Sequence, residues 1–399
     1  MFTSVTVEAT IKIVVVLAGV MGAAAYLVLV ERWMAAWIQM RRGPNRVGVP
    51  LTAIKLFGLG QPLADGVKLI CKEEYTPAHV DRRLYILAPI AIMAAALAVF
   101  AVIPFGSTLP PIPALGVDSP IQLTIAPGVD VGMIYIFAVS SIAVYGVILG
   151  GWASNSKYSF LGGLRSSAQL IAYELPLGLG ILGVVLVTGS LRLEEVIGQQ
   201  AATGVWFAFS QPLGLVVFVV AAFAEAARLP FDLPEAEQEL VGGYHTEYSG
   251  MKLMLFLTAE FIHMITASFL IVILFLGGWH FLGMSPPGVE IGWGEAILRI
   301  VVLMAKILSM VLFFMLVRWT WPRFRFDQLM TLAWKVMLPL GMVNLVAVAV
   351  VEEFGTEMST LSVVACGWTV AIVAWFATAL AAPLVTDNRP RVGQRLGAR

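Results

Sequence analysis

The sequence is poor in the residues from which redox centres and soluble surfaces are built. It has 2 cysteines and 4 histidines among 399 residues, and no CxxC, CxxCH or Cys/His cluster occurs. Haem or iron–sulfur ligation within this chain is therefore not expected. Charged residues make up 13% of the chain and the formal net charge is zero. The overall charge thus gives no reason to expect a nucleic-acid partner.

Apolar residues are abundant and come in long runs. They form 59% of the chain, and the mean hydropathy is +0.88. This pattern excludes a disordered chain and a disulfide-stapled secreted domain. Nine segments reach the roughly 20 residues that a spanning helix needs. They lie near residues 11–30, 84–105, 131–153, 168–190, 205–224, 251–278, 295–317, 330–351 and 360–384. The predicted fold is an all-α polytopic membrane protein, with residues 1–399 as one integral membrane domain.

Lysine and arginine are distributed unequally between the two sets of loops. Loop one, residues 31–83, carries nine of them, whereas the loops on the opposite side carry only Arg192. The positive-inside rule predicts that loop one, the other odd-numbered loops and the C-terminal tail are cytoplasmic, with the N-terminus outside. Because the first apolar run continues to Val30, a retained spanning helix is favoured over a cleaved signal peptide.

Ionisable residues inside the predicted spans need a partner or a hydrated cavity. Arg299 and Lys335 lie about one turn inside their helices, so snorkelling to the interface accounts for them. Glu260 and Lys306 lie deeper, and form either one buried structural pair or part of a proton or ion path. Glu260 and His263 share a helical face at i, i+3, which favours a proton relay or a packing pair over a metal site.

Loop five, residues 225–250, is unusually rich in acids. Asp232 and Glu235 have the spacing of a helix capping box. That explains one carboxylate but not the whole cluster, which lies between two spans. Carboxylates crowded in a low-dielectric groove share protons and titrate in coupled steps, so these residues indicate proton handling. The cluster is Glu225, Asp232, Glu235, Glu237, Glu239 and Glu247.

Loop one contains a second unusual pattern, in which a Gly-Pro-Asn turn lies between Arg42 and Arg46. Such a turn favours a shaped loop over a simple basic patch that binds anionic membrane lipid. After Gly60 the sequence predicts a short amphipathic helix, with Leu63, Val67 and Ile70 on one face.

Seven segments together resemble the H subunit of bacterial NADH:quinone oxidoreductase, respiratory complex I, in the right order from about residue 20 to 350. They are Arg41-Arg-Gly-Pro-Asn-Arg-Val-Gly, Gln61-Pro-Leu-Ala-Asp-Gly-Val-Lys-Leu, Gly151-Trp-Ala-Ser-Asn-Ser-Lys-Tyr, Gln169-Leu-Ile-Ala-Tyr-Glu174, Phe231-Asp-Leu-Pro-Glu-Ala-Glu-Gln-Glu-Leu-Val, Tyr244-His-Thr-Glu-Tyr-Ser-Gly and Pro322-Arg-Phe-Arg-Phe-Asp-Gln-Leu-Met.

The resemblance implies a subunit in the bacterial inner membrane that forms most of the quinone-access chamber. Quinone is then a substrate, reduced by an iron–sulfur cluster of a neighbouring subunit, and this chain holds no metal, haem or flavin. Its expected partners are the peripheral iron–sulfur subunits and the small and antiporter-like membrane subunits. A chain of buried acids would transmit the change in charge. By motif position these acids are Asp65, Glu174, Glu225, Asp232, Glu235, Glu237, Glu239, Glu247 and Glu260. Arginines bordering the chamber opening or the peripheral interface would be Arg32, Arg42, Arg46 and Arg318.

Three departures accompany the resemblance. Members commonly read Glu-Thr-Asn-Arg where this chain has Glu225-Ala-Ala-Arg228. The stretch 53–60 looks slightly extended. The segment 360–384 is one span more than the usual eight.

Two alternatives of other classes stay open. One is a coupling subunit of a membrane-bound hydrogenase, and the other is a stand-alone ion transporter that uses Glu174, Glu260 and Lys306.

Overall fold

The computed structural model describes residues 2–48, 57–111, 120–232, 241–281, 284, 292–354 and 359–385, without the side chains of 2–5 and 381–385. Within these ranges the chain is helical, and its β-structure is one bridge between Leu109 and Ile121. In chain order the α-helices are α1 Phe2–Ile38, α2 Gln61–Cys71, α3 Arg82–Ala98, α4 Gly132–Ala153, α5 Lys157–Thr188, α6 Leu193–Thr203, α7 Phe207–Ser210, α8 Pro212–Glu225, α9 Gly250–Phe275, α10 Trp293–Thr320, α11 Phe326–Thr331, α12 Leu338–Phe354 and α13 Thr360–Val385. A π-helix, Leu332–Met337, joins α11 to α12. The predicted class, an all-α polytopic membrane protein, is confirmed.

Eight helices among the described residues are long and apolar enough to cross a membrane, so the predicted count of nine is not confirmed. The difference lies in the predicted span 205–224, which is divided at Gln211 into α7 and α8. Pro212 follows the break, and proline has no N–H with which to continue the preceding helix. The 14 residues of α8 extend for about 21 Å, less than the roughly 30 Å of a hydrocarbon core.

The most enclosed helix is α9, which has 78% of its most apolar window buried. It contacts α1, α3, α8 and α10, and is therefore surrounded by protein. A helix that is apolar on every side is stable in such a position. Two of its ionisable residues, Glu260 and His263, thereby line a cavity inside the bundle.

We call the end of the bundle where α1 and α8 finish and α3, α5 and α9 begin the basic end, because the arginine-rich loops lie there. The amphipathic helix predicted after Gly60 is present as α2. Its apolar face remains exposed, with Leu63 at 65% and Ile70 at 61%. At the start of α3, Asp81 accepts hydrogen bonds from the backbone N–H groups of Arg83 and Leu84 and so caps the helix.

The last helix, α13, packs against α7, α8 and α12. Its contact with α7 requires glycine, because a Cβ on Gly367 would collide with the carbonyl oxygen of Ser210. The neighbouring Cys366 is partly buried in this contact, whereas Cys71 in α2 is exposed.

Replacing Gly367 with valine is expected to loosen α13 at a cost of about 1–3 kcal/mol, because overpacking forces the backbones apart. The measurement is the rate of maleimide labelling in detergent, which should rise for Cys366 and stay constant for Cys71. Ala377→Val, at an exposed position of the same helix, is the control. An unchanged Cys366 rate in the Gly367 variant would show that the contact tolerates a side chain.

Candidate functional site

A cavity of about 1180 Å³ lies at the basic end, between α1, the segment that follows it, α9 and α10. Apolar side chains such as Val28, Leu257 and Phe261 form part of its wall. The rest is rich in arginine, and the arginines are Arg32, Arg41, Arg42, Arg46, Arg228 and Arg318. The structure thus brings all four sequence-predicted arginines to one cavity. A wall of this composition accepts a molecule with an apolar body and hydrogen-bond-accepting oxygens.

Glu31 connects three elements at this cavity. Its Oε2 lies 3.3 Å from Nη1 of Arg228, and its Oε1 accepts from Nη1 of Arg318. The Glu31 side chain is 9% exposed and that of Arg228 is 5% exposed, so the charges compensate one another inside the protein. Sequence reasoning assigned Glu31 no role. The available signal was its position, since it is the first carboxylate after an uninterrupted apolar run that ends at Val30.

Arg228 is buried beside an aromatic ring at the wall of the cavity. Its guanidinium lies 4.2 Å from the centroid of the Phe261 ring. Its Nε and Nη2 atoms are buried and have no hydrogen-bond partner in the part of the chain that the structure describes. Gln169 holds the surrounding turn in place, because its Nε2 donates to the carbonyls of Ala224 at 2.8 Å and Phe231 at 2.7 Å. Arg228 is therefore held in place at the wall of the cavity, with its positive charge beside Phe261.

Asp65 joins α2 to α1. Its Oδ2 lies 2.5 Å from Nη1 of Arg32, and its Oδ1 accepts from Nε2 of Gln61 at 3.1 Å. Lys68 is also close, with Nζ 3.7 Å from Oδ1. The acid predicted at position 65 is thus an ion-pair partner at the rim of the cavity, and it holds the amphipathic helix against the bundle.

Asp232 is held by the segment that follows α10. Its Oδ2 accepts from Nη2 of Arg323 at 3.0 Å, and the aspartate side chain is only 6% exposed. The backbone reinforces this contact, since the N–H of Phe324 donates to the carbonyl of Pro230 at 3.2 Å. The start of loop five is therefore fixed by a charge pair and a backbone bond.

A second, smaller cavity of about 60 Å³ lies deeper in the bundle, between α4, α5, α8 and α9. It brings together three of the predicted acids, Glu174, Glu225 and Glu260, with His263. Glu260 accepts a hydrogen bond from the Tyr244 hydroxyl at 3.3 Å. Glu260 also lines the large cavity, so one carboxyl is shared by both.

Four further acids of loop five are among the predicted site residues. Glu235, Glu237 and Glu239 fall outside the described residues. The capping box predicted from Asp232 and Glu235 therefore also falls partly outside them. Glu247 does not line the small cavity, and its backbone carbonyl accepts from the Tyr85 hydroxyl at 2.6 Å.

Stacked tyrosines anchor the end of loop five. The rings of Tyr85 and Tyr248 lie 4.0 Å apart and nearly parallel. Burial, with a smaller contribution from Tyr85, raises the pKa of the Tyr248 hydroxyl above its usual value. Lys252 completes the anchor, with Nζ 3.6 Å from Oε2 of Glu74 and 3.0 Å from the Thr76 hydroxyl. These contacts fix the end of loop five against α3 and the segment that follows α2.

The basic residues of the spans have local partners. Arg299 is buried and lies 2.8 Å from Glu295, one turn earlier in α10, so it does not snorkel. Lys306 donates to the carbonyls of Leu276, Gly278 and His280 rather than to Glu260. The pKa of His280 is lowered by burial first and then by the charges of Arg299 and Lys306. The sequence does not decide whether Lys306 pairs with Glu260. In the described residues, Lys306 contacts the carbonyls at and after the end of α9.

Among the described residues no group of three or more His, Cys, Asp and Glu side chains has the arrangement of a metal site. Two of the cavities, one arginine-rich and one acid-rich, are both lined by Glu260. They define a multi-pass helical membrane protein with converging ionisable groups inside its bundle, as in membrane complexes that handle protons or ions.

Comparison with known proteins identifies the family. A family model described as NADH dehydrogenase matches residues 11–349. An H subunit of NADH-quinone oxidoreductase from Geobacter metallireducens is 47% identical over 334 residues, covering 84% of this chain and 93% of the relative. The H subunit from Protochlamydia amoebophila is 45% identical over 327 residues, with 82% and 92% covered. Subunit 8 of the enzyme from Rhodothermus marinus is 46% identical over 335 residues, with 82% and 92% covered.

The chain belongs to the family of NADH-quinone oxidoreductase H subunits. It is accordingly a multi-pass inner-membrane component of a multisubunit oxidoreductase, respiratory complex I. Helix α13, Thr360–Val385, lies beyond the residues that the family model matches.

Proposed function

We propose that this protein forms much of the quinone-access chamber and couples quinone reduction to proton translocation through its buried acids. The observation that carries the proposal is the position of Glu260, which lines both the large cavity and the small one. A group in this position responds to events in one cavity and exchanges protons in the other. The relatives' names also favour this function over a hydrogenase coupling subunit or a free-standing transporter.

The large cavity suits a quinone, which has two carbonyl acceptors and an apolar tail. The arginines of its wall supply donors, and Phe261, Leu257 and Val28 supply apolar contact. Reduction by a neighbouring iron–sulfur subunit consumes protons as well as electrons, so the charge in the cavity changes. At an effective dielectric of about 20, a unit charge about 10 Å away changes the free energy of protonating a carboxyl by ~1.7 kcal/mol. A change of that size is enough to move a proton onto or off Glu260.

The proton route continues from Glu260 to Glu225 and Glu174 around the small cavity. Glu174 is exposed on the surface of α5. An exposed carboxylate at membrane depth is costly against lipid, so a neighbouring membrane subunit is the favoured cover. In this proposal the basic end faces the cytoplasm and contacts the peripheral subunits, the N-terminus is outside, and the C-terminus is cytoplasmic.

The function is tested by a pull-down in mild detergent through a tag on the C-terminal tail, assayed for NADH-driven quinone reduction. Co-purification of iron–sulfur subunits with inhibitor-sensitive quinone reduction supports the proposal. Hydrogenase subunits without quinone activity would move the assignment to the coupling-subunit alternative. A stable protein that was purified without partners would contradict both readings and favour the ion-transporter alternative.

Glu260→Gln is expected to reduce both quinone reduction and proton pumping about tenfold, because the amide keeps the shape of the carboxyl but cannot carry a proton. Both rates are measured in inverted membrane vesicles containing the assembled complex. Glu353→Gln, at an exposed position of α12, is the control and should keep both rates. Retention of both rates in the Glu260 variant would remove this residue from the route.

A further inference from the structure

His263 lies in the small cavity beside the acids, although the family resemblance gives it no role. It follows Glu260 by three positions in α9, and side chains at this spacing lie on one face with Cβ atoms about 5–6 Å apart. It lines the same cavity as Glu225 on α8 and Glu174 on α5. Within the described ranges, no hydrogen bond to its imidazole ring is present to hold it in one orientation.

The acids around His263 belong to different helices. Glu260 is held toward loop five by the Tyr244 hydroxyl, at 3.3 Å, whereas Glu225 enters from the end of α8. The cavity of about 60 Å³ has room for water, since a single molecule needs about 10–15 Å³. The hydroxyls of Ser140, Ser141 and Ser166 supply further hydrogen-bonding groups along its wall. Carboxyl and hydroxyl groups thus line the same cavity as the ring.

We infer that His263 relays protons between Glu260 and Glu225, acting through these carboxyls and not on the quinone. A neutral imidazole has one N–H donor and one accepting nitrogen. The accepting nitrogen takes a proton from the Glu260 side, and the other nitrogen gives its proton to the Glu225 carboxylate. One proton has then moved, the ring is neutral in its other tautomer, and a ring flip restores the starting state. This inference rests on the proposed function and adds a relay residue to it.

The test compares His263→Gln and His263→Leu in the assembled complex. Glutamine can donate and accept hydrogen bonds but does not pass a proton through its side chain, and leucine fills the space without polar atoms. Both variants are expected to assemble and to lose roughly fivefold in coupled quinone reduction and pumping, because water leaves a slower route. Electron transfer from NADH to a water-soluble acceptor should stay unchanged. His79→Gln, the same change at an exposed position, should keep every rate.

A structural role for His263 predicts a different pattern. If glutamine restores the wild-type pumping rate and only leucine impairs it, hydrogen bonding suffices and the relay is wrong. The relay is also wrong if both variants fail to assemble, or if both pump normally while Glu260→Gln is impaired. Normal pumping in the His263 and Glu260 variants together would overturn the proposed function as well. A solvent deuterium isotope effect that changes in both His263 variants, but not in His79→Gln, supports proton transfer through the ring.

Discussion

Replacing Glu31 with glutamine is expected to destabilise the protein by about 3–5 kcal/mol, because it leaves buried arginine charge without its counter-ion. Arg228 depends most on this carboxylate, since its side chain is 5% exposed and the Glu31 contact is its ion pair. Glutamine keeps the shape of the side chain, so the loss reports on charge and not on packing. Arg318, at 25% exposure, is better able to turn toward water.

The measurement is thermal unfolding of the purified complex, together with the amount of this protein that enters the assembled complex. Glu8→Gln is the matched control on the same helix. Glu8 pairs with Lys12 at 2.7 Å but is 51% exposed, and exposed ion pairs contribute only about 0–1 kcal/mol. Equal effects of the two substitutions would mean that the charges around Glu31 are solvated, and the cavity wall would need another explanation.

A double-mutant cycle separates the pair energy from general disruption. Glu31→Met with Arg228→Met replaces both charges by apolar side chains, and such replacements of buried pairs are often close to neutral. The double variant is therefore expected to be more stable than Glu31→Met or Arg228→Met alone. Its quinone reductase rate should nevertheless stay low, because the charged side chains of Glu31 and Arg228 are gone from the cavity wall. Strict additivity would contradict the contact between these two residues.

The sequence predicts the fold class and the clustering of arginines, but not the contacts that organise them. Most of the spanning helices are predicted by apolar runs near 20 residues, which are a local property of the sequence. The basic end is predicted by the excess of lysine and arginine in alternate loops, which is also local. Glu31 and Arg228 are 197 positions apart, and Glu31 and Arg318 are 287 apart. A single sequence contains no signal for such distances. The i, i+3 spacing of Glu260 and His263 could be read because it lies within one helix turn.

The errors of the sequence-based predictions have similar causes. The division of 205–224 into α7 and α8 depends on Pro212 and on enclosure by neighbouring helices, and hydropathy does not distinguish an enclosed helix from a lipid-facing one. The position of Arg299 one turn inside its helix predicts snorkelling, but the side chain pairs instead with Glu295, four residues earlier on the same helical face. The partners of Lys306 are not predictable from the sequence, because they are backbone carbonyls, which every residue has.

Lys306→Met is expected to destabilise the protein by about 3 kcal/mol while leaving the affinity for quinone unchanged. The ammonium group donates to the carbonyls of Leu276 at 2.6 Å, Gly278 at 3.0 Å and His280 at 2.7 Å. These carbonyls belong to the segment that directly follows α9, which ends at Phe275. A positive charge there also compensates the negative end of the helix dipole. Methionine fills the space but offers no donor, so the three acceptors lose a charge-assisted bond.

Lys306 also contacts the ring of Trp206, so its loss should affect more than one connection. Lys306 lies 4.5 Å from its centroid, so the lysine joins α10 to the α6–α7 connection as well as to the end of α9. Lys335→Met, at an exposed position of the π-helix, is the control. Thermal unfolding should separate the two variants, and hydrogen exchange should show faster opening of residues 276–281 only in the Lys306 variant. Normal stability with a changed ratio of protons pumped to electrons transferred would instead place Lys306 on the proton route, because a cap has no means of altering that ratio.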